Sequence, residues 1–329
     1  MLATPAPDPE TFPEQGSYAD KLAFLLPWAR LAPSLLNSQP WQFALQEHVI
    51  TVLPDLERWQ PVTDPEKREL YLSLGCALEN LLTAAEYFGL GFQVGFGDSD
   101  SGDETFAYVQ FVEGARINQV RDPALFHAIA RRHTSRRPFL SRLVPREELM
   151  QLRNARLEPQ LQLRFLANIE QKRRLATLVA AADRRLLANA DYRRELAAGL
   201  RRGMGGLPAP VAGLAALILR HVDIGTRLGQ REQRLLMSAP LLAVLGSHED
   251  TPVRWIQTGQ LFQRLALTAT KLGLAIQPMN RLLHVRSHRH ELATMLPDTR
   301  LRPHFLVRIG YADRPGRPAP KDPLEQHLA

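Results

Sequence analysis

Arg132, Thr134 and Arg136 alternate in the segment Arg131-Arg132-His133-Thr134-Ser135-Arg136-Arg137-Pro138-Phe139, directly after a predicted helix. On an extended backbone, side chains two residues apart point the same way. Two guanidinium groups and a hydroxyl would then converge on one side, a donor set suited to gripping a phosphate. Taken alone, such a basic cluster also describes a solvated surface turn. Far upstream lies a second segment, Ala32-Pro33-Ser34-Leu35-Leu36-Asn37-Ser38-Gln39-Pro40-Trp41-Gln42-Phe43. There Pro33-Ser34 ends a helix, and Asn37 and Gln39 offer amide groups that hydrogen-bond in either sense. Trp41 reads as core packing.

Together the two segments resemble the FMN-binding motifs of the nitroreductase family, and FMN is the cofactor this implies. The flavin carries a dianionic phosphate, a ribityl chain and a ring whose N1–C2=O edge becomes negative on reduction, so it asks for guanidinium groups, hydroxyls and amide donors. The resemblance implies Arg132 and Thr134 at the phosphate or ribityl chain and Arg136 near N1/O2. It implies Pro33, Ser34, Leu35, Asn37 and Gln39 on the ring side. Gly273-Leu274-Ala275-Ile276-Gln277-Pro278-Met279-Asn280 resembles the family's Gly-Leu-x-x-x-Pro-Ile turn, implying Pro278, Met279 and Asn280 beside flavin N5. The segment from Gly310 to Pro318 resembles the family's closing strand and basic tail, which returns an arginine to the phosphate; Arg317 is preferred to Arg314.

Ordinary family members carry both motif segments in every subunit of a dimer. Here the ring-side segment occurs only early and the phosphate-side segment only later, since nothing like Arg-x-Ser-x-Arg precedes Ser17 and no second Pro-Ser-x-x-Asn-x-Gln-Pro-Trp follows Phe139. One chain would therefore hold one complete site at an internal pseudo-dimer interface, as in the fused, Acg-like branch. The implied activity is an FMN-dependent oxidoreductase in which NAD(P)H reduces the flavin and a small aromatic acceptor, a nitroaromatic or quinone, is reduced in a second half-reaction. No side chain need serve as a nucleophile. The alternative is a flavin-sequestering protein with a closed lid.

These residues need elements to position them. The expected fold class is α+β, a nitroreductase-like fold of two fused halves, each with a mixed sheet flanked by helices. A flexible arm over residues 1–16 precedes a first half over 17–114. Within it, Leu22, Leu25, Leu26 and Ala29 follow helical spacing, 43–53 alternates as a strand, and 70–90 reads as a helix apolar nearly all round. Strands over 92–96 and 105–112 flank the turn Gly97-Asp98-Ser99-Asp100-Ser101-Gly102. The second half spans 115–313, with helices over 123–132, 145–153, 170–189 and 254–272 and strands over 161–166, 241–245 and 303–311. The helices at 70–89 and 254–273 are each followed by Gly-Leu, which indicates a degenerate internal repeat. Between them 198–236, with Gly203-Met204-Gly205-Gly206, reads either as a loop or hairpin acting as a lid or as an ordinary connection packed on the surface; if Arg220, Leu217 or neighbouring residues fill the space over the ring, turnover should be slow. An extended tail covers 314–329.

Composition removes other classes. The 329 residues are 45% hydrophobic and 23% charged, as in a globular chain with a sizeable core. Of the 41 basic residues only 5 are lysines, and the arginines are dispersed, which argues against nucleic acid as a partner for the net charge of +7. The single cysteine, Cys76, excludes an intrachain disulfide and reads as a buried thiol. His284, His288 and His290 lack an acidic or thiol partner nearby and are not read as a metal site. With no signal-like start and no membrane-length apolar run, a cytoplasmic protein with no membrane partner is expected, either a monomer with its intrachain pseudo-dimer or a homodimer.

Overall fold

A twenty-residue helix that is apolar on nearly every side must be surrounded, and two such helices cross at the centre of the molecule. The computed structural model describes residues 7–99, 102, 104–114, 119–166, 168–204, 207–314 and 316–329. The chain begins with α1 (Tyr18–Ala23) and α2 (Leu26–Ala29), then β1 (Trp41–Gln46), β2 (Val49–Pro54), α3 (Arg68–Tyr87), β3 (Phe92–Asp98) and β4 (Thr105–Phe111). It continues with α4 (Ala124–Ile129), α5 (Arg146–Asn154), β5 (Leu161–Leu166), α6 (Ile169–Ala188), α7 (Ala190–Arg201), α8 (Ala209–His221) and α9 (Gly225–Ser238). It ends with β6 (Leu241–Ser247), α10 (Pro252–Lys271), β7 (Ala275–Pro278), α11 (Arg286–Thr294) and β8 (Arg302–Gly310).

The strands form two four-stranded sheets, ordered β1-β2-β4-β3 and β5-β6-β8-β7. The orders are identical when β1 to β4 are matched with β5 to β8, and α3 and α10 occupy equivalent places, so the internal repeat extends to the whole topology. The two helices cross at Gly75 and Gly259, each the eighth residue of its helix. A Cβ at Gly75 would lie 1.9 Å from the Ile256 carbonyl oxygen, and one at Gly259 would lie 2.1 Å from that of Leu72. Only glycine permits so close a crossing.

The expected α+β layering is present, with one refinement. All named strand pairs are antiparallel, and the mixed character reduces to a parallel bridge on the edge of each sheet: Phe43 with Leu328, and Thr134 with Ile276. Both bridges matter, because they bring the two chain segments of the site onto the sheets. The single strand expected over 43–53 is a hairpin turning at Glu47, whose φ of 49° sequence alternation could not reveal.

The ends differ more. Residues 7–16 are not free: Phe12 stacks on Phe88 with centroids 4.4 Å apart and meets Phe24 edge-on. Residues 1–6 of the expected arm lie outside the described residues, as do Asp100 and Ser101 of the expected turn, 115–118 at the start of the second half, Gly205 and Gly206 of the expected lid, and Pro315 of the tail. The described part of 198–236 is mostly helical. It holds the end of α7, α8 and α9, packed on α6 through Leu187, Tyr192, Leu196, Ala216 and Leu219.

Candidate functional site

Thr134 bridges Ile276 on the edge of β7, and the Ser135 N–H donates to the Ile276 carbonyl at 3.0 Å. That pairing extends the backbone and lets Arg132, Thr134 and Arg136 face one cavity of about 470 Å³. Arg308, fully buried on β8, holds the segment in place. It stacks over Phe139 at 3.8 Å, and its Nη2 donates to the carbonyls of Ser135 (3.1 Å) and Arg137 (2.7 Å).

The ring-side segment enters the same cavity from the first half. Leu36, Asn37 and Gln39 have φ of 51°, 55° and 52°, left-handed values that residues other than glycine adopt at a cost of order 1 kcal/mol each. The turn survives because its polar groups are engaged. The Gln39 N–H donates to Ser34 Oγ at 2.8 Å, and the Leu35 N–H to Ser73 Oγ at 3.4 Å.

The C-terminal tail closes the cavity by returning to the first half. Gly316 N–H donates to His133 Nε2 at 2.9 Å, Asn37 Nδ2 to the Pro320 carbonyl at 2.9 Å, and Asp322 N–H to Gln39 Oε1 at 3.1 Å. Lys321 Nζ donates to the Ala32 carbonyl and, at 3.1 Å, to Asn37 Oδ1.

Seven cations line this cavity, Arg132, Arg136, Arg137, Arg231, Arg314, Arg317 and Lys321, and no carboxylate is among its lining residues. Burial pulls Arg132 down to about 10. The same desolvation, with the Arg132 charge beside it, pulls Lys321 down to about 7. Arg132 Nε is buried without a hydrogen-bond partner. The arrangement asks for an anion.

A second, smaller cavity of about 160 Å³ adjoins it; Pro33, Ser34, Leu36, Thr134, Arg136 and Met204 line both. Its walls are mostly apolar: Leu35, Leu72, Cys76, Leu196, Phe262, Pro278 and Phe305. One corner is polar. Asn280 Nδ2 donates to Glu69 Oε1 at 2.9 Å, His284 Nε2 lies 3.3 Å from the same oxygen, and Arg281 and Tyr192 stand beside them. Burial drives the Cys76 thiol and the Tyr192 hydroxyl well above their ordinary values, so neither is a nucleophile at neutral pH.

Of the residues read from sequence, Pro33, Ser34, Asn37, Arg132, Thr134, Arg136 and Arg317 line the larger cavity, and Leu35, Pro278 and Asn280 the smaller. Arg314 lines the larger beside Arg317, so the choice between them falls away. Three expectations change. Gln39 lines neither cavity; it is buried and holds the tail. Asn37 lines the cavity, but its amide is committed to the tail, Lys321 and the Arg202 carbonyl. Met279 is packed in the core of the second half, and its N–H donates to the Leu306 carbonyl at 2.8 Å.

Leu217 and Arg220 line neither cavity; Met204 and Arg231 do so for the larger, and Tyr192, Leu196 and Met204 for the smaller. Sequence reasoning missed Lys321, Arg308, Glu69 and His284 as well. Arg308 carried a signal, as an arginine in the apolar run that ends the last strand, Phe305 to Ile309. His284 and His290 end in separate cavities, and among the described residues no three metal-binding side chains gather.

No known family model matches the chain. A Mycobacterium tuberculosis protein provisionally named an NAD(P)H nitroreductase is 27% identical over 315 residues, covering 94% of this chain and 90% of the relative. A second from the same organism, also provisionally named an NAD(P)H nitroreductase and called acg, is 24% identical over 315 residues, 89% of each. Among solved structures, the FMN and NADPH-dependent nitroreductase NfnB from a Sphigopyxis species is 22% identical with a TM-score of 0.44, covering 62% of this chain and 97% of that one. The likeness to the two mycobacterial proteins runs along most of the chain and is not confined to the two motif segments.

Proposed function

We propose that the protein is an FMN-dependent oxidoreductase that takes reducing equivalents from NAD(P)H and passes them to a small aromatic acceptor such as a nitroaromatic or a quinone. The observation that carries this reading is the pairing of a seven-cation cavity that lacks a carboxylate with an adjoining apolar slot. A dianionic phosphate would give Arg132 and Lys321 the counter-charge they lack, and a flat ring suits a space walled by Leu35, Leu72, Phe262, Pro278 and Phe305. The names given to the mycobacterial relatives point the same way.

Bound FMN would supply the two-electron carrier that no side chain provides. In this reading Arg132, Thr134, Lys321 and the tail arginines hold the phosphate and ribityl chain. Arg136 lines both cavities, so it is the cation placed to stabilise negative charge on the ring edge. Pro33, Ser34, Leu35, Pro278 and Asn280 confine the ring and exclude water.

A second reading, flavin sequestration, is favoured by one observation. The Glu195 carboxylate on α7 accepts from the Val62 N–H at 3.0 Å and the Thr63 N–H at 2.7 Å, pinning to the first half the helix that carries Tyr192 and Leu196. The deciding experiment is a visible spectrum of the purified protein, followed by anaerobic addition of NADH and then NADPH. Bleaching with either nucleotide is the expected result. Bleaching with dithionite alone selects sequestration, and a colourless protein that takes up no added FMN overturns both.

A further inference from the structure

Helix α8 is built inside out. A surface helix normally turns its large aliphatic residues inward, whereas α8 buries Ala212, Ala216 and Leu219 and presents Val211 (51% exposed), Leu214 (61%), Leu217 (51%) and Ile218 (47%) to solvent. No acidic residue lies between Ala209 and His221. Four large side chains in eight residues make a contiguous apolar strip of the kind that marks an interaction surface.

A second feature lies beside it. Between α7 and α8 runs a groove of about 320 Å³ lined by Arg194, Arg201 and Arg220 with Ala197 and Ala198. Arg194 is paired with Asp191, but among the described residues Arg201 and Arg220 have neither an ion pair nor a hydrogen-bond partner. Cations flanking an apolar strip, with no carboxylate on that helix, complement an anionic surface. Two copies of the strip laid face to face would bring like charges together, which disfavours a second copy as the occupant.

We propose that α8 lies on an anionic lipid surface, its aliphatic strip entering the headgroup boundary and Arg201 and Arg220 taking lipid phosphates in the adjacent groove. No single helix among the described residues is long and apolar enough to cross a membrane; α8 and α9 reach that length and hydropathy only as a pair bent by 120°, and α9 packs on α6, so a peripheral contact through α8 alone is the one proposed. Because α8 rests on α7, and α7 walls the apolar slot with Tyr192 and Leu196, the docked face stands behind one wall of the candidate site. The inference does not depend on the flavin reading, since its readout is binding to lipid.

The test is co-sedimentation of the full chain with sucrose-loaded vesicles of phosphatidylcholine alone or in an equimolar mixture with phosphatidylglycerol. Binding to the mixed vesicles is expected, weakening as salt rises. Leu214→Glu/Leu217→Glu should abolish it. Arg201→Gln/Arg220→Gln, which leaves the apolar strip untouched and guards against a folding defect in the first variant, should weaken it by about fivefold per arginine, roughly twenty-five-fold together. Equal sedimentation with neutral and mixed vesicles, no sedimentation with either, or unchanged binding by the leucine variant overturns the proposal. So does light scattering that finds a dimer which the leucine variant converts to a monomer, because the strip would then belong to a second copy.

Discussion

Two groups of desolvated cations lie at different places in the molecule, and the difference between them separates structure from function. In the first, Arg121 and Arg264 both grip Glu79, at 2.8 and 2.7 Å, and Arg121 reaches Glu86 and Arg264 reaches Glu158. Burial alone would raise Glu79, but the two guanidinium groups outweigh it and hold the carboxyl at about 2. Both arginines are correspondingly raised, again against the effect of burial. In the second group, Arg132, Arg136 and Lys321 are desolvated with nothing comparable, and all three are lowered. A cation whose charge is answered inside the chain maintains the fold, while one left unanswered at a cavity awaits a ligand.

The largest expected effect tests the first group. Arg264→Met removes two carboxylate contacts and leaves the buried charge of Glu79 partly uncompensated, which should destabilise the fold by about 3–5 kcal/mol in a urea melt. Arg132→Met should do the opposite in flavin-free protein, leaving stability unchanged or higher, because the charge it removes is already unpaired. If both variants lost stability equally, the distinction between the groups would fail.

The second group is read by flavin content. Arg136→Ala removes a charge-assisted contact of about 1.5–3 kcal/mol, so FMN affinity should fall roughly ten- to hundredfold, with Thr134→Ala weakening it less. Released FMN per protein after dialysis measures this. Equal occupancy in wild type and Arg136→Ala would remove Arg136 from the site.

The groups should also part with pH. Glu79 is depressed in the folded chain, so its stabilising contribution is present above about 4.5 and is lost as pH falls toward about 2. Lys321 is depressed too, from 10.5 to about 7, but it is a base. Flavin-free stability therefore gains as pH rises from about 7 toward 10.5, where only the unfolded chain keeps that proton. Ligand affinity runs the other way: Lys321 is cationic only below about 7, so FMN should bind more weakly at pH 8.5 than at 6.5. In Lys321→Met that difference should shrink, and a titration by fluorescence quenching at the two pH values would show whether it does.

Why the sequence disclosed some of this and not the rest follows from range. The alternation at Arg132, Thr134 and Arg136 is a local property of an extended segment, and the helices at 68–87 and 252–271 announce themselves by apolar residues on every face. The Gly-Leu after each helix exposed the repeat. What pairs Thr134 with Ile276, or carries Lys321 back to Asn37, is contact between residues far apart in sequence, and no local pattern encodes it. Asn37 and Gln39 show the consequence. The resemblance implies them on the ring side of the flavin, while in the folded chain their amides bond to the tail. The glycines at 203–206 read as a lid or as a surface connection, while the helices at 190–201 and 209–221 give the described part of that region its shape.

The smallest effect concerns the covering helix, and it sharpens the contrast by asking whether the unanswered cations are reached freely. The Glu195 carboxylate on α7 accepts from the backbone at Val62 and Thr63, and Thr63 is almost wholly buried. Glu195→Ala leaves the N–H of buried Thr63 unpaired, while that of exposed Val62 turns to water, a loss of about 1–3 kcal/mol that falls on the docking of α7. Tyr192 and Leu196 move with that helix, so the slot should open more often while Arg132 and Thr134, the proposed phosphate contacts, stay as they were. FMN release should then quicken by several-fold with a smaller change in equilibrium affinity, because a wall that opens more often speeds entry and exit alike. Stopped-flow dilution into an FMN scavenger measures the release rate. A rate equal to wild type would mean that α7 is part of the fixed wall, and access would have to come from the side of the tail, past Arg314 and Arg317.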